Sequence, residues 1–275
     1  MSSVTVDLAG AQTANGGTTA SANAFGMTGG NGNDGMVNAG AVTIDISSVV
    51  DGSSNSVTLA GAGTAHTRGT ATTTVVGMDG GDGNDTLSNY STGSMLLKAI
   101  ASGTASSYSL TFAGVANSSV SAGTEAAAHA YGMQAGGGGD FLYNYGTIDL
   151  AADAQLTASG TSYTALGKGS ANSSSTASAE AIGMDGGDGN DIIVNNNDAV
   201  VGTEYNLKVK AKALAESTNC VGVFIGGTYA AGISTATTSA TGIDGGEGDN
   251  MVFNHGTMDV LADTDATVSA TATPN

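Results

Sequence analysis

Five glycine-rich segments carry acidic and amide side chains at matching positions: GGNGND (29–34), GGDGND (80–85), AGGGGD (135–140), GGDGND (186–191) and GGEGDN (245–250). With the residue just before each, they hold 11 of the 24 acidic residues: Asp34, Asp79, Asp82, Asp85, Asp140, Asp185, Asp188, Asp191, Asp244, Glu247 and Asp249. Loops of this kind stacked on one another bring like charges within a few ångströms, which is unfavourable even after screening. Bound cations reverse the sign of that interaction, so the chemistry read from these residues is cation binding coupled to folding.

The segments belong to a long internal repeat. Each follows a Gly-Met or Gly-Ile pair, at Gly26-Met27, Gly77-Met78, Gly132-Met133, Gly183-Met184 and Gly242-Ile243. The spacings are 51, 55, 51 and 59. Four positions beyond each loop stands an asparagine: Asn38, Asn89, Asn144, Asn195 and Asn254. Identical asparagines in register can hydrogen-bond along a stack, and a structural ladder is expected there in preference to metal ligation.

The segments GGNGNDGMV (29–37), GGDGNDTLS (80–88) and GGDGNDIIV (186–194) resemble the GGxGxDxUx nonapeptide of the RTX, or haemolysin-type, calcium-binding proteins. The resemblance implies a calcium-holding turn followed by a strand of a parallel β-roll, with Asp34, Asp85, Asp140 and Asp191 in the family's aspartate-ligand role. Glycines let successive carbonyl oxygens curl toward a cation and the carboxylate adds a charged oxygen, a hard oxygen shell that suits Ca2+ better than Mg2+. The expected metal-binding set is completed by Asn31, Asn33, Asp79, Asp82, Asn84, Gly138, Asp185, Asp188, Asn190, Asp244, Glu247, Asp249 and Asn250. Where the family places its nonapeptides in tandem, this chain has single copies about one repeat apart. One coil per repeat would stack the loops and give four inter-loop sites; two coils per repeat would hold them too far apart to share ions. The third copy opens on Ala135, and the fifth has Asn250 in the aspartate position, so the last site is expected to be weaker or differently ligated.

The elements that must position these loops are read as strands. Two, four and six residues before each Gly of the pair lie small residues, such as Ala71, Thr73 and Val75 or Ala126, Ala128 and Ala130. Alternation with period two marks a strand with one buried face, and small buried side chains imply closely spaced walls. In the second repeat the reading is strand 42–50, a DGSSN turn, strand 56–65, an HTRG turn and strand 70–78. The expected fold class is all-β, a parallel β-solenoid of about five such repeats stacked as one domain over 1–275. Met27, Met78, Met133 and Met184 are expected to fill the interior beneath the loops.

Composition narrows the function. The net charge of −18, from six basic and 24 acidic residues, opposes nucleic-acid phosphates and anionic lipid. No apolar window reaches the length of a membrane span, and the sequence around Met1 lacks the features of a signal peptide. Cys220 is alone, which excludes an internal disulfide framework. His66, His129 and His255 fall at different phases of the repeat, and the loops lack the flanking helices of dinucleotide folds and EF-hands. No enzyme is expected. Incomplete repeats at 1–27 and 255–275 expose strand edges that invite pairing, so the expected partner is another copy of the chain, head to tail in a filament. The functional reading is a calcium-stabilised extracellular or cell-surface structural protein. Its alternatives are a calcium-dependent adhesin with a surface or carbohydrate ligand, an ice-binding module using TATTT (70–74) and STATTS (234–239), and a polysaccharide-modifying β-helix enzyme.

Overall fold

A computed structural model describes residues 2–113, 116–196 and 206–274. Among these the chain is all-β, without a helix, and every strand pairing is parallel. The longer strands are β2 (Gly10–Asn31), β4 (Ala41–Asp82), β6 (Ser94–Ala113), β7 (Ala116–Gly138), β9 (Thr147–Asp185), β12 (Leu207–Asp244) and β14 (Met258–Pro274). With β1 (Ser2–Asp7) and β10 (Asp188–Gly189) they form a nine-stranded sheet. The short strands β3 (Gly35–Asn38), β5 (Thr86–Asn89), β8 (Phe141–Asn144), β11 (Ile192–Asn195) and β13 (Met251–Asn254) form a second sheet of five.

Register follows the sequence repeat. Met27 pairs with Met78, Met78 with Met133, Met133 with Met184, and Met184 with Ile243. Equivalent residues are therefore direct neighbours across strands, at the parallel spacing of about 4.8 Å. This arrangement of parallel strands is consistent with a β-solenoid. Offsets between neighbours are not uniform along a layer: Ala41 pairs with Ser94, whereas the Gly63 pairing with Ser118 reaches two positions further along the chain. The change of offset falls at the corners between arms, and within each arm the offset is constant.

The central layers each have two long arms that fold back on one another. In the second layer residues 41–58 and 63–82 face each other across the interior, since Ser48 Oγ meets Thr73 Oγ1 at 2.7 Å and Ser54 Oγ meets Thr67 Oγ1 at 2.8 Å. The reversal is at Gly61, whose φ of 127° lies in the region glycine tolerates and side chains do not. The turns expected at DGSSN and HTRG are not turns: both lie inside β4, and Ser54 and Thr67 point inward, buried. Period-two alternation runs through them unbroken, and their hydroxyls satisfy one another instead of facing water.

Small side chains line the interior as the alternation predicts. Ala71, Thr73, Val75, Ala126, Ala128, Ala130, Ala177, Ala179 and Ala181 are all buried. Beneath the loops Met78, Met133 and Met184 are fully enclosed beside Leu87, Leu97, Leu142, Leu150 and Ile193, forming the main apolar cluster. Toward the Gly61 turn the interior becomes hydroxyl-rich, and its apolar content shrinks to two small clusters around Val120 and Ala122.

Candidate functional site

The loop segments sit at one end of each layer, between the second arm and the short strand. Two glycine columns give them their shape. Gly30, Gly81, Gly136, Gly187 and Gly246, and likewise Gly32, Gly83, Gly138, Gly189 and Gly248, have φ between 77° and 141°. At Gly83 a Cβ would also overlap the backbone carbonyl of Gly32 in the preceding layer, so the glycine is required both by its own backbone and by its neighbour's approach.

The residues predicted to bind metal, Gly138 apart, fall into four columns. Asp34, Asp85, Asp140, Asp191 and Asn250 form the innermost. Each member after the first supplies Oδ1 to the backbone N–H of the one before it: Asp34 N–H donates to Asp85 at 2.7 Å, Asp85 to Asp140 at 2.6 Å, Asp140 to Asp191 at 2.8 Å and Asp191 to Asn250 at 2.8 Å. The other oxygen, Oδ2, is buried in all four aspartates and accepts no hydrogen bond. A carboxylate oxygen in that state is costly unless a cation or a proton meets it.

Asn33, Asn84 and Asn190 make the second column, with the opposite sense: their Oδ1 atoms accept from the N–H groups of Asn84, Gly139 and Asp249 in the following layer, at 2.8 to 2.9 Å. These exposed amides cap backbone donors. The third column runs Asn31, Asp82, Gly137, Asp188 and Glu247, and the fourth Thr28, Asp79, Gln134, Asp185 and Asp244. Gly138 belongs to the strained glycine column and offers only backbone oxygen. No three His, Cys, Asp or Glu side chains converge on a point among the described residues, so a cation at these loops would take much of its shell from carbonyl oxygens.

Electrostatics mark the same residues. Burial holds the carboxyls of Asp140, Asp185 and Asp191 above the usual carboxylate range; for Asp140 the charges of Asp191 and Asp85 add to the effect, and for Asp185 those of Asp244, Glu180 and Asp191. Asp79 is raised by burial and then by Asp85. The donor set therefore fits a cation: buried carboxylate oxygens without donors, in a glycine cradle, beside acids whose charged forms are disfavoured.

The asparagine ladder is present. Nδ2 of Asn38, Asn89, Asn144 and Asn195 donates to Oδ1 of the next member at 2.8 to 2.9 Å, with the three central members wholly buried. The histidines are separate: His129 pairs through Nδ1 with Glu180 Oε2 at 3.0 Å, alongside the Tyr131 hydroxyl at 2.8 Å, while His255 stacks on Phe253. The two Thr-rich segments do not adjoin. Between Thr70 and Thr235 in one column stand Glu125 and Thr176, and between Thr74 and Ser239 stand His129 and Glu180.

Sequence reading missed an aromatic row on the outer face of the short-strand sheet. Phe141, Tyr143 and Tyr145 have near-parallel rings, with centroids 6.4 and 6.2 Å apart and interplanar angles of 11° and 9°. Alternation in FLYNY carries the signal, since the strand direction puts every second side chain on one face. Compared with known proteins, the chain matches no protein-family model, no curated protein and no solved structure.

Proposed function

We propose that the chain is a calcium-stabilised parallel β-solenoid with one repeat per coil, serving outside the cell as a structural subunit that assembles head to tail into a filament. The observation that carries this reading is the column of buried Oδ2 atoms at Asp34, Asp85, Asp140 and Asp191, each without a donor. The RTX-like loop pattern supports calcium as the ion, and the carbonyl-rich cradle suits its variable coordination better than the strict octahedron of magnesium. Calcium would neutralise the stacked carboxylates; the chain's own glycines and Oδ1 hydrogen bonds hold those carboxylates in place. Millimolar calcium outside cells would fill such loops, whereas cytosolic levels would leave them mutually repelling.

Electron microscopy and circular dichroism in calcium, then after chelation, test the reading. Filaments in calcium that shorten or melt in chelator are expected. Unchanged particles with an unchanged spectrum would overturn it.

A second reading, a carbohydrate-binding adhesin, draws on the Phe141, Tyr143 and Tyr145 row. A row of parallel, partly exposed aromatic rings offers apolar surface to sugar rings. Binding to insoluble polysaccharides that is lost in Tyr143→Ala, with the fold retained, would favour it; equal retention of both proteins would sink it.

A further inference from the structure

The two open faces of the stack fit each other, and we propose a defined joint between copies: residues 10–28 of one copy pair with 226–244 of the next, and residues 258–268 of that second copy fill the slot beside residues 42–52 of the first. This joint rests on the filament reading above and specifies its register.

Three observations point to a second copy as the occupant. The first is complementary coverage among the described residues. On one face the second arm, 10–31, is complete, but the first arm beside it is only residues 2–7, paired with 53–58, so inward-facing Val42, Ile44 and Ile46 are only partly covered. On the other face the first arm, 258–274, runs along 207–223 with no second arm over it among the described residues, and Met258, Val260 and Val268 are between 38% and 47% exposed. Among the described residues each face carries the arm that the other leaves open.

Hydrogen-bond polarity is the second observation. In the aspartate column every N–H donates toward the higher-numbered layer, so Asn250 N–H is the next donor and Asp34 Oδ1 of the other copy the next acceptor. The asparagine ladder runs the same way, bringing Asn254 Nδ2 to Asn38 Oδ1. Stacked in this register, both ladders continue through the joint with donors and acceptors matched.

The third observation is charge. Continuing the columns sets Thr28 over Asp244 and Asn31 over Glu247. It also sets Asn33 over Asp249 and Asp34 over Asn250. At all four positions a neutral residue meets an acid. Inside the chain the same columns place acid against acid, at Asp188 beside Glu247, Asp185 beside Asp244 and the three steps from Asp34 to Asp191. Asn250 thus breaks the aspartate column where the other copy supplies the aspartate.

Residues 2–7 and 269–274 claim the same register positions, both aligned with 53–58 through the intervening layers. Residues 2–7 therefore leave their place as the joint closes. The five loop-bearing layers described, at about 4.8 Å each, correspond to an axial rise of about 24 Å.

Cysteine cross-linking tests the joint. Thr19 and Thr235 are exposed and fall in one column, so full-length Thr19→Cys and Thr235→Cys chains, each with Cys220→Ser, are mixed in calcium and mildly oxidised. Heterotypic 19–235 dimers are expected, with at least a tenfold lower yield when Ser239→Cys, four residues along the same face, replaces Thr235→Cys. Filaments with the five-layer rise that yield no 19–235 link, or only 19–19 and 235–235 links, would overturn the joint and spare the filament reading. Absence of filaments from the unmodified protein at any calcium concentration would overturn both. Val260→Arg gives an independent check: it is expected to leave the monomer's circular dichroism unchanged and raise the concentration needed for assembly at least tenfold. Assembly at the original concentration would count against the joint.

Discussion

The half of the interior beneath the acidic loops and the half toward the Gly61 turn are made by the same strands, yet they solve burial differently. Under the loops, Leu97, Leu150, Met133 and their neighbours pack as hydrocarbon, and the polar groups above them are columns of one residue type repeated. Toward the turn, some hydroxyls of facing arms meet, as in the trio of Ser54, Thr67 and Ser107 with contacts of 2.8 to 3.2 Å, while those of Ser56, Thr58, Thr111 and Thr164 are buried without a partner. Neutral hydroxyls can stack without repulsion, whether paired or not. A column of carboxylates cannot, because stacking identical charges adds repulsion with every layer. Dependence on an external ion should therefore be confined to one end of each layer.

The largest expected effect removes the backbone freedom that the loop end requires. Gly83→Ala is expected to abolish cooperative folding even in calcium, as its Cβ would overlap the Gly32 carbonyl at a φ of 137°. A cooperative thermal transition like that of the unmodified protein would show that the column can shift. Next comes packing under the loops: Leu150→Ala is expected to cost about 2 to 5 kcal/mol in chemical denaturation, since Leu150 is wholly buried.

Charge gives a smaller effect with a telling sign. In the metal-free protein Asp140→Asn should raise stability by about 1 kcal/mol, because an amide keeps the Oδ1 acceptor, as Asn250 does for Asp191, and removes a buried charge. The stabilisation gained from added calcium should shrink in the same variant. A metal-free protein made less stable would break the distinction drawn between the two halves.

Protonation should imitate the cation. Asp79, Asp140, Asp185 and Asp191 are held above their ordinary value of 3.8, so the folded state binds protons more readily than the unfolded. Their contribution is fully present below that ordinary value and is lost as pH rises through the raised values. Metal-free protein should accordingly melt at a higher temperature at acid pH, close to that ordinary value, than at neutral pH, and saturating calcium should flatten the difference. The smallest effect is expected from Ser54→Ala on the hydroxyl side, about 1 kcal/mol and the same with or without calcium. A calcium-dependent loss there would extend ion coupling across the whole layer.

The repeating features were readable from sequence because stacking imposes them on every copy. Alternation around Ala71 and Ala126, the Met positions and the Asn38 to Asn254 ladder all appear where the pattern placed them. The turns were not readable in the same way. DGSSN and HTRG have turn chemistry, but in a thin interior Ser54 and Thr67 find partners across the gap, and the reversal falls on Gly61, hidden in an AGAG run. The aspartates stand out in the sequence for their charge and their place in the loop pattern. That one oxygen of each ties layers together follows from their position one strand spacing apart, which only the register reveals.

The uneven offsets between layers have a practical consequence. Compared with the second layer, the third takes in two extra residues from Asn89 to Ser94 and two more from Ala113 to Ser118, and every column survives. Length is absorbed outside the ladders. A foreign peptide grafted between the exposed Ser91 and Thr92 should then be carried on the surface without disturbing the columns. In a filament it would recur once per copy, turning the assembly into a regularly spaced display scaffold.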